Sequence, residues 1–247
     1  MKIEHRQVKN NIIQITTTDE RWYQIGEKFV PSVTWITGFY PKGIQFFKWL
    51  ANHGWDEAES IKQSAGDKGS KVHKAIEDLL QGKEVSIDSK YSNHTTGQDE
   101  ELTVEEYECL FSFANWFEAT KPKVISCELT TYNEKHGYAG TVDFICEING
   151  EPYIIDFKTS QSIWPEHELQ LSAYKHALLE RKTITDSNVK LAILQIGYRR
   201  NKQLYKFTPI EDKFNLFLAA KAIWKNEASN QQPAQKDYPI KIILNFK

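Results

Sequence analysis

Apolar and polar positions follow two periods along the chain. Alternation of period two predicts strands over residues 11–17 and 21–25, paired by a turn at Asp19-Glu20, and over 123–132, 138–148, 151–158, 189–198 and 203–208, with an edge strand over 240–246. Helical spacing predicts helices over 43–52, 56–64 and 70–80, and again over 102–120, 166–181 and 214–228. The 70–80 helix starts at Ser70 as N-cap and buries Val72, Ala75, Ile76 and Leu79. In the 102–120 helix Leu110, Phe113, Ala114 and Phe117 face inward, and Lys121-Pro122 ends it. Between 82 and 98 periodicity is lost in a polar stretch, which reads as a loop or insertion. There is no internal repeat.

The 138–158 stretch organises the rest. Asn149-Gly150 suits the two positive φ angles of a type I′ hairpin turn. With Ile148 facing Glu151, the same register carried outward sets Asp143 opposite Asp156. Ile154, Asp156 and Lys158 then share one face of their strand, and Tyr153, Ile155 and Phe157 the other. Two facing carboxylates repel unless something neutralises them, and a divalent cation would do so. The bland alternative is a solvent-facing strand pair carrying these charges by chance. Pro152 adds a second alternative, because a three-residue loop or bulge would shift Asp143 to face residue 155 or 157.

Composition narrows the classes. At 247 residues, 40% hydrophobic and 26% charged, the chain can bury a large core as one domain: an N-terminal hairpin and helical arm (1–65), a core (66–210), and a C-terminal helix and strand (211–247). No apolar run approaches the roughly 18 residues of a membrane span, and the N-terminus lacks a signal peptide's apolar stretch. The expected location is therefore intracellular, in the cytoplasm of a bacterial or phage-infected cell. Cys109, Cys127 and Cys146 are odd in number and widely spaced, which argues against a disulfide framework, a zinc ribbon and an iron–sulfur cluster. The net charge is −2, with acids gathered at 99–108 and cations in the C-terminal third, where a polyanion would bind.

Other residues carry weaker signals alone. The rings of Trp35, Phe39, Tyr40, Phe46, Phe47, Trp49 and Trp55 suit core packing, or the stacking of one or two of them on the bases of a single strand. His73 lies beside a buried stripe, as satisfied core histidines do. Glu128 sits on the strand before Asp143, where an exposed strand acid is as good a reading as a site role. Gln170 and Tyr174 stack at i, i+4. Arg199, Arg200 and Lys202 form the tip of a late hairpin and are candidate guides for a DNA backbone.

In order, Gly69-x-x-x-His73, Gly140-x-x-Asp143, Asp156-Phe-Lys158 and Gln170-x-x-x-Tyr174 resemble the RecB-type nuclease module of the PD-(D/E)XK superfamily over roughly residues 66–200. That module also occurs in phage exonucleases and in the mitochondrial genome maintenance exonuclease. Val142 stands where the name motif has proline, and the chain carries no helicase motif. The resemblance implies an α/β, restriction-endonuclease-like core, a central mixed β-sheet flanked by helices. It implies Asp143 and Asp156 as metal-binding carboxylates, His73 as a further ligand and Lys158 as the residue that positions the attacking water. Gln170 and Tyr174 would lie beside the substrate strand, and Glu128 has a less constant counterpart, leaving it a further candidate ligand.

The chemistry suits those residues. Two carboxylates, an imidazole and a main-chain carbonyl, that of Phe157, make an oxygen-rich cage for one or two Mg²⁺ or Mn²⁺ ions. The expectation is a metal-dependent deoxyribonuclease, an exonuclease of replication, recombination or repair, with a phage origin in view. Its partner would be DNA with a single-stranded portion or end. The alternatives are a structure-specific endonuclease and a non-catalytic DNA-binding or assembly module. Polarity, strand preference and oligomeric state are not legible.

Overall fold

The computed structural model describes residues 4–8, 12–17, 20–228 and 232–233. The chain opens with β1 (Glu4–Val8), β2 (Ile12–Thr16), β3 (Arg21–Ile25) and β4 (Lys28–Pro31), an antiparallel meander in sequential order. Next come α1 (Val33–Thr37), α2 (Ile44–His53) and α3 (Trp55–Leu80), a small hairpin of β5 (Lys90–Ser92) and β6 (Asp99–Glu101), and α4 (Val104–Thr120). The remaining elements are β7 (Lys123–Asn133), β8 (Tyr138–Ile148), β9 (Glu151–Lys158), α5 (Pro165–Glu180), β10 (Lys190–Ile196), β11 (Tyr205–Ile210) and α6 (Phe214–Glu227).

The central sheet is ordered β11-β10-β9-β8-β7. Only β9 and β10 run parallel, since α5 carries the chain back over one face before β10 begins. Apolar side chains alternate across the sheet and build a core on each side. Ile154, Leu191 and Ile193 pack against Ile36 of α1, Leu169 and Ala173 of α5 and Phe217 of α6. Phe144, Ile155, Phe157 and Leu194 pack beneath Val72 and Ile76 of α3 and Leu110, Phe113 and Trp116 of α4. This is the mixed-sheet α/β architecture expected of a restriction-endonuclease-like core. The N-terminal meander joins it through Trp22, whose ring meets Trp35 at 5.0 Å and Trp224 at 6.0 Å.

Several local expectations change. The N-terminal hairpin is two strands short of the observed sheet, while residues 18–19 of its turn lie outside the described residues, as does the expected 240–246 strand. The polar 82–98 stretch contains the first strand of the β5–β6 hairpin. In α4 the buried positions include Cys109 and Trp116, whereas Ala114 and Phe117 are half-buried. Trp116 takes the inward position because its ring packs on Phe144 and stacks on Phe207. The largest change is in α3, which runs unbroken for 26 residues instead of starting at Ser70. Ser70 Oγ donates to the Gly66 carbonyl and caps nothing.

Two interior glycines, Gly66 and Gly69, each cost about 1 kcal/mol in a helix. That cost is offset at both ends. Asp56 and Glu57 complement the helix dipole in the first turn, and Val72, Ala75 and Ile76 are buried near the last. Lys71, itself buried, pairs with buried Glu106 of α4 at 2.9 Å. Residues 55–66 of α3 are exposed except for Ala58, and with α2 they form a helical arm.

Candidate active site

The site lies where the β8–β9 ladder ends. Pairing follows the register set by Asn149-Gly150, whose φ angles are +53° and +81°, from Ile148↔Glu151 through Phe144↔Ile155. It stops one step short of the acids. Asp143 and Asp156 are thus not a ladder pair as the register alone implied, because the Asp143 side chain intervenes: its Oδ2 accepts a 2.8 Å hydrogen bond from the Phe157 amide. On the other flank of β8, Cys127↔Phe144 and Leu129↔Val142 are paired but Glu128, between them, is not. Glu128 adopts φ +47°, a left-handed conformation that costs a non-glycine residue on the order of 1–3 kcal/mol.

Helices approach this opening from both faces of the sheet. From α3, His73 sets Nε2 3.1 Å from the Phe157 carbonyl oxygen and Nδ1 3.6 Å from Asp143 Oδ1 and 3.7 Å from Glu128 Oε1. From α5, Gln170 Nε2 donates to Asp156 Oδ1 and to the Tyr174 hydroxyl, each at 3.0 Å. Lys158 Nζ sits 2.6 Å from Asp156 Oδ2, and 3.5 Å from Gln170 Oε1. As alternation demands, Asp156 and Lys158 lie on one face of β9. Gly140 has a steric reason: a Cβ there would lie 2.5 Å from Tyr174 Cε1.

Burial and charge set the protonation states. Burial alone would lower the His73 pKa, but Asp143 and then Glu128 outweigh it and lift the imidazole to about 10. Asp143 is held below the usual carboxylate range against the effect of burial, chiefly by His73, with help from Lys158 and the Phe157 amide. Asp156 is pushed up to about 7 by burial and by Asp143, with Lys158 opposing. Burial also raises Glu128, while neighbouring Asp156 and Asp143 keep Lys158 charged despite its own burial.

The donor set suits a hard cation. His73, Glu128 and Asp143 present ligand atoms all within 4.8 Å of one another. Asp156 stands apart from those three, and its buried Oδ2 has the Lys158 ammonium nearby but no well-directed hydrogen bond. Buried carboxylates beside an imidazole and a main-chain carbonyl are a donor set that a divalent ion completes.

The chain matches the family model of the PD-(D/E)XK nuclease superfamily over residues 46–239. It belongs to that superfamily. The match spans α2 to beyond α6, and with it every element that brings a side chain to the site. PD-(D/E)XK proteins are metal-dependent nucleases, so the acids, lysine and histidine described above sit in a nuclease fold. No curated protein matches the chain.

The late hairpin tip looks different from its sequence. Arg199 donates through Nε and Nη2 to Glu108 at 3.1 and 2.9 Å, and its Nη2 lies 3.2 Å from Glu105. Lys68 and Lys71 also engage acids of the 99–108 stretch. The acidic segment and part of the basic region therefore neutralise each other, and a polyanion would not meet an unopposed basic third. Arg200 and Lys202 remain exposed, with no ion-pair partner among the described residues.

One site neighbour went unnoticed in the sequence. His167 precedes Gln170 by three residues and shares its helix face. Burial and then the charges of Lys158 and Lys42 lower it to about 3, so it is neutral at physiological pH. The spacing His167-x-x-Gln170-x-x-x-Tyr174 was the available signal. Among the described residues no helix is long and apolar enough to cross a membrane.

Proposed function

We propose that this protein is a Mg²⁺- or Mn²⁺-dependent deoxyribonuclease that degrades DNA from its ends, an exonuclease serving replication, recombination or repair. The observation that carries the reading is the buried Asp156 carboxylate, with Lys158 at 2.6 Å and the Asp143, His73 and Glu128 group beside it. Asp143, Asp156, His73 and the Phe157 carbonyl would hold the metal, with Glu128 as a further oxygen ligand. A metal bound there supplies activated water and relief of charge on the phosphate.

The chain's own groups do the rest. Lys158 orients the water and opposes the negative charge that develops on the phosphate oxygens. Gln170 fixes the Asp156 carboxylate through Oδ1, leaving Oδ2 directed at the site. Tyr174 fixes Gln170 in turn. Arg200 and Lys202, with Arg199 held by its acids, guide the DNA backbone. End-directed action follows the resemblance of the four motifs to the RecB-type module that occurs in phage exonucleases and in the mitochondrial genome maintenance exonuclease.

End-labelled linear and covalently closed circular DNA, single- and double-stranded, separate the modes of attack. With Mn²⁺ present, the proposal expects linear DNA to be lost and circular DNA of the same sequence to survive. Cleavage of the circles at a comparable rate would establish an endonuclease instead.

A further inference from the structure

The arm exposes aromatic rings that the fold does not use. Trp35, Phe39 and Tyr40 pack against the core, but α2 buries none of its residues. Phe46, Trp49 and His53 follow one another at i, i+3 and i+7, with ring centroids 6.0 and 5.0 Å apart. Phe47 is 52% exposed and Trp55, at the start of α3, 71%, while Phe46 and Trp49 are half-buried. An apolar helix face left in solvent marks an interaction surface.

Charge and position say what covers it. From Lys28 to Trp55 the chain contains no acidic residue; of its lysines, Lys28 lies 4.0 Å from Glu134 and Lys42 pairs with Glu166, while Lys48 is exposed with no ion-pair partner among the described residues. Lys42 Nζ lies over the Phe46 ring at 5.8 Å and also bonds Glu166 in the first turn of α5, one turn before the Gln170 that holds Asp156. At its other end the arm runs into the α3 turn that carries His73. An acid-free segment with one lysine over a ring and another exposed beside the rings suits an anionic polymer with flat, apolar bases.

We propose that the neighbouring α2 rings of Phe46, Phe47 and Trp49, with Phe46 5.6 Å from Phe47 and 6.0 Å from Trp49, are a stacking platform for unpaired bases of single-stranded DNA whose backbone leads into the carboxylate site. This rests on the nuclease reading and assigns it a substrate form. Bases held in a duplex already stack on each other and gain little from the rings. Unpaired bases gain from each ring they meet.

The test is binding of a fluorescein-labelled 20-nucleotide dT strand and of a 20-base-pair duplex, by anisotropy in EDTA so that no cleavage occurs. The unsubstituted protein is compared with Phe47→Ala/Trp49→Ala and with the conservative Trp49→Tyr. Stacking on one ring corresponds to roughly 5- to 150-fold in affinity. The double variant should lose at least about tenfold for dT, change by less than about threefold for the duplex, and keep its unfolding transition, while Trp49→Tyr retains most of the affinity. An unchanged dT affinity, or equal losses for strand and duplex, would overturn the platform. A dimer in sedimentation that the double variant dissociates, with dT affinity untouched, would also overturn it and assign the face to a second copy. Cleavage of both DNAs in Mn²⁺ is read separately: an inert unsubstituted protein with the dT difference intact removes the nuclease reading and leaves the platform.

Discussion

Gly140→Ala probes the link between the strand that carries Asp143 and the helix that holds Asp156. The added Cβ would lie 2.5 Å from Tyr174 Cε1 and 3.3 Å from both Cζ and the hydroxyl oxygen. Ordinary carbon contacts are about 3.5–4.0 Å, so the ring or β8 must retreat by about 1 Å. Tyr174 is only 3% exposed and its hydroxyl accepts the Gln170 hydrogen bond, so it has little room to yield. Overpacking of this kind costs about 1–3 kcal/mol. Because the same Gln170 amide holds Asp156, cleavage should fall by about tenfold or more at saturating DNA. Urea unfolding reads the first effect as a lowered midpoint at constant slope. In a Tyr174→Leu background the offending ring atoms are gone, and Gly140→Ala should cost under about 0.5 kcal/mol there. Equal costs in both backgrounds would refute the steric link between Gly140 and Tyr174.

Other consequences are as direct. Glu106→Ala leaves the buried Lys71 ammonium with only the more distant Glu100 at 3.7 Å and removes the capping-box partner of Thr103, so it should destabilise the fold by about 3 kcal/mol. Breaking the exposed Lys190–Glu151 pair, by contrast, should leave the midpoint nearly unchanged; both are measured by urea unfolding. Without metal, stability gained from the His73 proton is present below about pH 6.5 and lost as pH rises toward 10, and ionising Asp156 opposes folding as pH rises from about 4 to 7. Metal binding requires both groups to lose their protons, so it strengthens with pH. The gain in melting temperature given by Mn²⁺ over EDTA should therefore grow from pH 6 to pH 8, and a gain that shrinks would contradict the ligand assignment.

What the sequence revealed was local and periodic. The Asn149-Gly150 turn fixes a register that the strands obey for five pairs, and alternation correctly groups Asp156 with Lys158 and separates them from Phe157. The spacing of Gln170 and Tyr174 predicted a shared face, and the coordinates supply the bond between them. The failures were of another kind. Glu128 reaches His73 through a left-handed backbone that no propensity for glutamate signals. Gly66 and Gly69 looked like a boundary, yet tertiary anchoring by Lys71 and the buried stripe carries the helix through them. Arg199 looked available until α4 placed Glu105 and Glu108 against it. Each miss involves a partner distant in sequence, which spacing cannot report.

The central claim is that Asp156 and Lys158 form the working edge of a metal-dependent nuclease site. The most direct measurement is digestion of end-labelled linear DNA with Mn²⁺ by the unsubstituted protein, with and without EDTA, beside Asp156→Ala and Lys158→Ala proteins whose far-UV circular dichroism shows them folded. The expected result is cleavage by the unsubstituted protein that stops on chelation, and loss of cleavage by at least about a hundredfold in both variants. Full activity in folded Asp156→Ala protein, or cleavage indifferent to EDTA, would contradict it.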